Sequence, residues 1–113
     1  DQFLQANPDT WGIVREVHPE VCFWAWANRR PMEASKKTRQ GKSQRLKLAE
    51  GWLGSNMLSK ARGSHLKKYV GDDDILDAVA ALWTATRIAK GTALSLPECP
   101  PTDGTGHRME IVY

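Results

Sequence analysis

The first chemistry this sequence argues against is that of a zinc site. It holds two cysteines, Cys22 and Cys99, far apart in the chain. There is no CxxC pair and no Cys/His cluster with the spacing of a tetrahedral site. Two isolated thiols fit the reduced state of a cytoplasmic protein. No apolar run approaches the roughly 20 residues of a membrane span, which argues against a membrane partner. No charged-then-apolar leader is visible, nor is any internal repeat or low-complexity tract. Gly104-Thr105-Gly106 is a lone GxG, too weak to signal a phosphate loop. A small-molecule phosphotransferase would need such a loop. Aromatic residues are also missing from the basic segment before Trp52, so a base-stacking platform is not indicated there.

What is present is unevenly charged. The net charge of +3 conceals a basic middle and an acidic remainder. Residues 34–70 carry ten Lys/Arg side chains and one acid, Glu50. Lys36, Lys37, Arg39 and Lys42, with Arg45 behind them, could follow a phosphate backbone through charge and shape, without reading sequence. A solvated surface helix has the same composition, so charge alone leaves both readings open.

The 113 residues suffice for a single domain with one core, spanning 1–113. Residues 3–10 read as a helix end and a turn. Residues 12–18, β-branched and stopped by Pro19, read as a strand that puts Glu16 on one face with Val14 and His18. Pro19 suits the first turn of a short, apolar helix that ends near Asn28. A helix follows over about 39–53, capped by Ser35 or Thr38, with Leu46, Ala49, Trp52 and Leu53 as its apolar face. A further helical turn is expected over 56–62. The strongest helix runs over about 73–90, capped by Asp72 or Asp73 and closed by Gly91. Prolines 97, 100 and 101 then impose an extended loop, and 107–113 read as a final strand. The five tryptophans fall mostly on apolar faces and belong to the core. Two strands do not make a stable sheet alone. The chain, which begins at Asp1, is therefore expected to be the C-terminal portion of a longer protein, with a sheet edge on which a second copy could pair as a homodimer.

The run Asp72-Asp73-Asp74-Ile75-Leu76-Asp77 is the densest chemical signal. Acids at a helix N-terminus are favoured by the helix dipole, which accounts for Asp72, Asp73 and in part Asp74. Asp77 lies one turn deeper in an apolar helix, and a buried carboxylate requires a compensating cation. Ala78, Ala81 and Ala85 form a small-residue stripe beside it that would let the helix lie close to a sheet. Glu16 from the strand with Asp74 and Asp77 from the helix would supply three carboxylates from two elements. Hard ions such as Mg²⁺ or Mn²⁺ take such oxygen ligands and can activate water at a phosphodiester. His18 serves equally well as a structural group or as a residue that orients water.

Several motifs in series resemble a known family. They are the segments 16–23 (Glu-Val-His-Pro-Glu-Val-Cys-Phe), 35–41 (Ser-Lys-Lys-Thr-Arg-Gln-Gly), 73–78 (Asp-Asp-Ile-Leu-Asp-Ala), Leu96-Pro97 and 108–111 (Arg-Met-Glu-Ile). In that order they resemble an uncharacterised prokaryotic domain-of-unknown-function family predicted to be RNase H-like nucleases, over nearly the whole chain. The resemblance implies an α/β fold: the C-terminal, helix-rich part of an RNase H-like fold, with few strands, a long acidic-ended helix and a final short strand. It implies a divalent-metal-dependent nuclease in which Glu16 matches the later-strand acid, and Asp74 and Asp77 match an Asp-x-x-Asp of related resolvases. The first-strand aspartate of that superfamily has no counterpart after Asp1, so the resemblance implies a chain inactive by itself. The alternative is a nucleic-acid-binding or structural module of the same fold without catalysis.

Overall fold

Four helices and a two-residue-wide β-ladder make up the described chain in a computed structural model. Residues 2, 6, 7, 9, 13–63 and 65–113 are described; most of the helix end expected over 3–10, together with Trp11 and Gly12, lies outside them. In chain order the elements are α1 (Pro19–Trp26), α2 (Arg39–Leu53), α3 (Met57–Arg62), α4 (Asp72–Ala89), β1 (Ser95–Leu96) and β2 (Ile111–Val112). The architecture is mixed α/β and mostly helical. Among the described residues no helix is long and apolar enough to cross a membrane.

Local chemistry sets the helix limits. Pro19 opens α1 where its missing N–H would have no intrahelical partner. Beyond Ala27, Asn28 and Arg29 take positive φ and turn the chain away. Thr38 caps α2 by accepting the Gly41 N–H at 3.0 Å, and Gly54, at φ 98°, ends it. At α4 the cap differs from expectation: Gly71 is the N-cap, and Asp74 reaches back to accept its N–H at 2.8 Å. This contact fills an otherwise idle donor at the helix mouth.

The core is helical. Cys22 and Phe23 of α1, Ala49 of α2, Met57 of α3, and Ile75, Leu76, Val79 and Ala80 of α4 form one cluster. Thr84, fully buried, donates to Cys22 Sγ at 3.0 Å, and burial raises the Cys22 thiol pKa. Removing Phe23 or Leu76 from water contributes about 1.5–3 kcal/mol each. Trp26 lies between the rings of Phe23 and Trp83, stacked on both, and Trp52 meets it edge-on. These three tryptophans form a partly exposed aromatic block beside the core.

Three expectations change. The buried stripe of α2 is Gly41, Arg45 and Ala49, while Trp52 and Leu53 are exposed, because Arg45 is drawn inward to Glu20 of α1 and takes this i, i+4 row with it. Ala78 and Ala85 are exposed, because α4 packs on α1, α2 and α3 through the face of Leu76, Val79 and Ala80. Residues 14–18 form no ladder, and of them His18 is extended. A single bond, from the Val112 N–H to Glu16 O at 2.9 Å, joins them to β2, which is too short to pair more. The sheet itself is β1 against β2, antiparallel, with Ser95 opposite Val112 and Leu96 opposite Ile111. The final strand is limited to β2. Before it, Asp103 organises a turn by accepting from Thr105 N, Thr105 Oγ1 and His107 N at 2.7–3.0 Å.

Candidate functional site

Close packing of the 34–37 loop on α2 creates the site. A Cβ on Gly41 would stand 1.9 Å from Ser35 O and 2.8 Å from Ala34 O, so glycine is what lets the loop lie there. Arg45, 3% exposed, holds the loop from below. Its Nη1 donates to Ala34 O at 3.1 Å and Gly41 O at 2.8 Å, and its Nε and Nη2 fork onto Glu20 of α1. Thr38 closes the loop by donating through Oγ1 to Ser35 O at 2.7 Å. The loop so fixed carries Lys36 over the start of α4, where Nζ donates to Asp77 Oδ2 at 3.0 Å. That contact raises the Lys36 pKa.

Asp72, expected to do no more than cap, is the buried acid at the start of α4. Its carboxylate pairs with Lys42 of α2 and Arg62 of α3, and Lys67 Nζ stands 3.7 Å away. The hydrogen bond from Lys42 does most to lower its pKa to about 2; Arg62 adds to it, and burial opposes both. Arg62 also donates to Val70 O at 2.9 Å, so the same guanidinium ties α3 to the segment leading into α4. The cation that a buried acid at this helix needs is thus supplied by the chain's own basic residues. Asp77 is half-buried rather than buried.

Lys36, Lys37, Lys42 and Lys67 line a cavity of about 460 Å³ together with Asp73 and Asp77. Three of the four basic residues expected on phosphate, Lys36, Lys37 and Lys42, therefore meet one of the acids expected on metal. Arg39 is exposed and outside this lining. Arg45 reaches the cavity wall but is committed to Glu20 and the loop carbonyls, which corrects its assignment to the phosphate-following stripe. Asp74 stays exposed at its cap. Glu16 lines different cavities, with His107, Arg108 and Glu110. Among the described residues no three His, Cys, Asp or Glu side chains are gathered to hold a metal ion.

A family model described as "Protein of unknown function (DUF429)" matches residues 1–102. The chain belongs to that family. No curated protein matches it, and neither does any solved structure. The DUF429 match takes in the 34–37 loop, α2 and the acidic start of α4, so every residue lining this cavity falls inside it. Glu110 falls outside it. That glutamate is buried and bonded to Arg15 at 2.7 Å. Burial raises its pKa, but Ser95, Arg15 and Arg108 more than offset this and leave it lowered.

Sequence reasoning on this DUF429 chain missed Gly41, Arg45 and Asp72 as the residues that build the site. Gly41, Arg45 and Ala49 recur every four residues, a stripe that could have shown Arg45 facing inward. Asp72 left no such signal, since its partners come from two other helices and a loop. Chemically the cavity offers ammonium groups to a polyanion. Asp73 and Asp77 lie one turn apart on the same helix face and offer a pair of carboxylates.

Proposed function

We propose that this DUF429 chain carries a divalent-metal-dependent nuclease site that takes a nucleic-acid phosphate backbone into the cavity between the 34–37 loop and α4. An RNase H-like ancestry, carried by the motif resemblance, is part of the proposal. The observation that carries it is convergence: Lys36, Lys37 and Lys42, read as phosphate ligands, and Asp77, read as a metal ligand, line one cavity. Salt-dependent backbone binding follows from the lysines.

The donor chemistry fits Mg²⁺ or Mn²⁺. Mg²⁺ keeps several waters and is held by one or two carboxylates together with substrate phosphates. Asp73 and Asp77 are two such carboxylates beside a lysine-lined cavity. Bound there, the ion would supply an activated water and charge neutralisation at the phosphodiester. Lys42, anchored by Asp72, would hold a flanking phosphate, and Lys36 and Lys37 the next. Glu16 and Asp74 are not among the residues lining this cavity; in this proposal Asp73 joins Asp77, and Asp74 remains the cap.

The test is cleavage of a mixed DNA and RNA panel in Mn²⁺. In the longer protein expected from the sequence, cleavage should appear, EDTA should abolish it, and Asp77→Asn should reduce the rate at least 100-fold; this chain by itself should bind without cleaving. An Asp77→Asn variant that cleaves as wild type would sink the assignment. Binding without cleavage is the second reading, favoured by the ion pairs that already occupy Asp72 and Asp77. It predicts salt-sensitive binding indifferent to EDTA and no cleavage by any variant.

A further inference from the structure

The two cavity acids that pair with lysines differ in kind. Asp72 is buried and shares its carboxylate among Lys42, Arg62 and Lys67; the Lys42 and Arg62 contacts join three helices. Among the described residues Asp77 has a single ion-pair partner, Lys36, at 3.0 Å, with the two side chains 25% and 35% exposed. A half-exposed pair of this sort is screened and weakly held. Both members line the cavity, and the loop behind Lys36 is pinned through Arg45 and Thr38, so the ammonium can swing while its backbone stays in place.

We infer that Lys36 is a phosphate-binding residue held in reserve by Asp77, whose carboxylate occupies the ammonium until a phosphodiester chain displaces it. Lys42 is a standing cation of the site and Lys36 an exchangeable one. The ligand class is a phosphodiester chain, which can engage Lys37 and Lys42 while competing for Lys36. The inference rests on the polyanion-binding half of the function proposed above and needs no metal. It has an unusual consequence: removing an acid that belongs to the site strengthens binding in a metal-free buffer, and does so only while Lys36 is present.

The test is fluorescence anisotropy of a short labelled single-stranded oligonucleotide in EDTA across a range of salt. It compares wild type, Asp77→Asn, Lys36→Met, the double variant and Glu98→Gln, an exposed acid elsewhere that controls for net charge. Asp77→Asn is expected to bind roughly two- to five-fold tighter, with a salt slope steeper by about 0.7, the mark of one more phosphate contact. Glu98→Gln should leave the slope unchanged, and the gain should vanish in the Lys36→Met background. A gain no larger than that of Glu98→Gln, or one that survives Lys36→Met, overturns the inference while nucleic-acid binding stands. No binding by wild type or Asp77→Asn at low salt overturns both.

Discussion

Arg45 and Glu20 form a fork: Nε and Nη2 of the guanidinium meet the two carboxylate oxygens at 3.1 and 2.7 Å, tying α2 to α1. The remaining Nη1 reaches the backbone of the lysine-bearing loop, and the guanidinium also lies over the Phe23 ring, 5.7 Å from its centroid. A lysine keeps the charge but loses the planar fork. Arg45→Lys is therefore expected to lose about 2–3 kcal/mol in urea unfolding, since Glu20 and two carbonyls lose donors. Its oligonucleotide salt slope should match wild type, because Arg45 is not a phosphate contact. A slope that falls by about 0.7 would return Arg45 to the phosphate-binding set.

Two glycines of α2 should respond in opposite directions. Gly41→Ala forces a methyl group into Ser35 O, and the backbone must give way. The expected loss is about 2 kcal/mol or more, with weakened oligonucleotide binding as Lys36 is displaced. Gly51 has nothing within 4 Å of a built Cβ and sits inside the same helix, so Gly51→Ala should gain about 0.5–1 kcal/mol from reduced unfolded-state freedom. Denaturation midpoints of the pair check the argument against each other in one element.

Helix limits were legible because they are written locally. Pro19 opens α1, Thr38 caps α2, and Gly63 and Gly91 follow α3 and α4, each marked by a side chain or by its lack. The inside face of α2 was not legible, because Arg45 looks like Lys42 in a charge pattern and only Glu20, twenty-five residues away in sequence, distinguishes them. Asp72 and Asp77 were ranked the wrong way for burial for a related reason. Depth along the helix does not set burial here, since the burial of Asp72 comes with Lys42 and Arg62 packed around it. The strand expected over 12–18 failed on pairing: among its described residues only Glu16 bonds to β2, through one backbone contact.

Acid sensitivity should be concentrated at Asp72. Its carboxyl is held down to about 2 by Lys42 and then Arg62, against an ordinary value near 3.9. A depressed folded-state pKa stabilises above the ordinary value and loses that stabilisation as pH falls toward 2. The contribution, on the order of 2 kcal/mol, should be complete above about pH 5 and fade between about pH 4 and 2. Asp72→Asn should lower stability at neutral pH, leaving Lys42 and Arg62 without a counter-charge, and should flatten the pH profile in that window. Unfolding free energies measured by urea from pH 2 to 7 check it. An unchanged acid limb in the variant would shift the effect to other carboxylates.

The choice between Asp73 and Asp74 as the partner of Asp77 has a direct experimental signature. Asp73 lines the cavity, whereas Asp74 spends one oxygen on the Gly71 N–H. A bound divalent ion stabilises the folded state in proportion to its occupancy, so Mn²⁺ should raise the wild-type melting temperature. Asp73→Asn and Asp77→Asn should each remove most of that rise while leaving the metal-free melting temperature close to wild type. Asp74→Asn should do the reverse: the helix-capping carboxylate is worth about 1 kcal/mol, so the metal-free melting temperature drops while the Mn²⁺ increment persists. If the increment instead disappears with Asp74→Asn and survives Asp73→Asn, the Asp-x-x-Asp spacing of residues 74 and 77 carries the ion. Asp74 Oδ2 would then keep the Gly71 N–H while its other oxygen takes the ion.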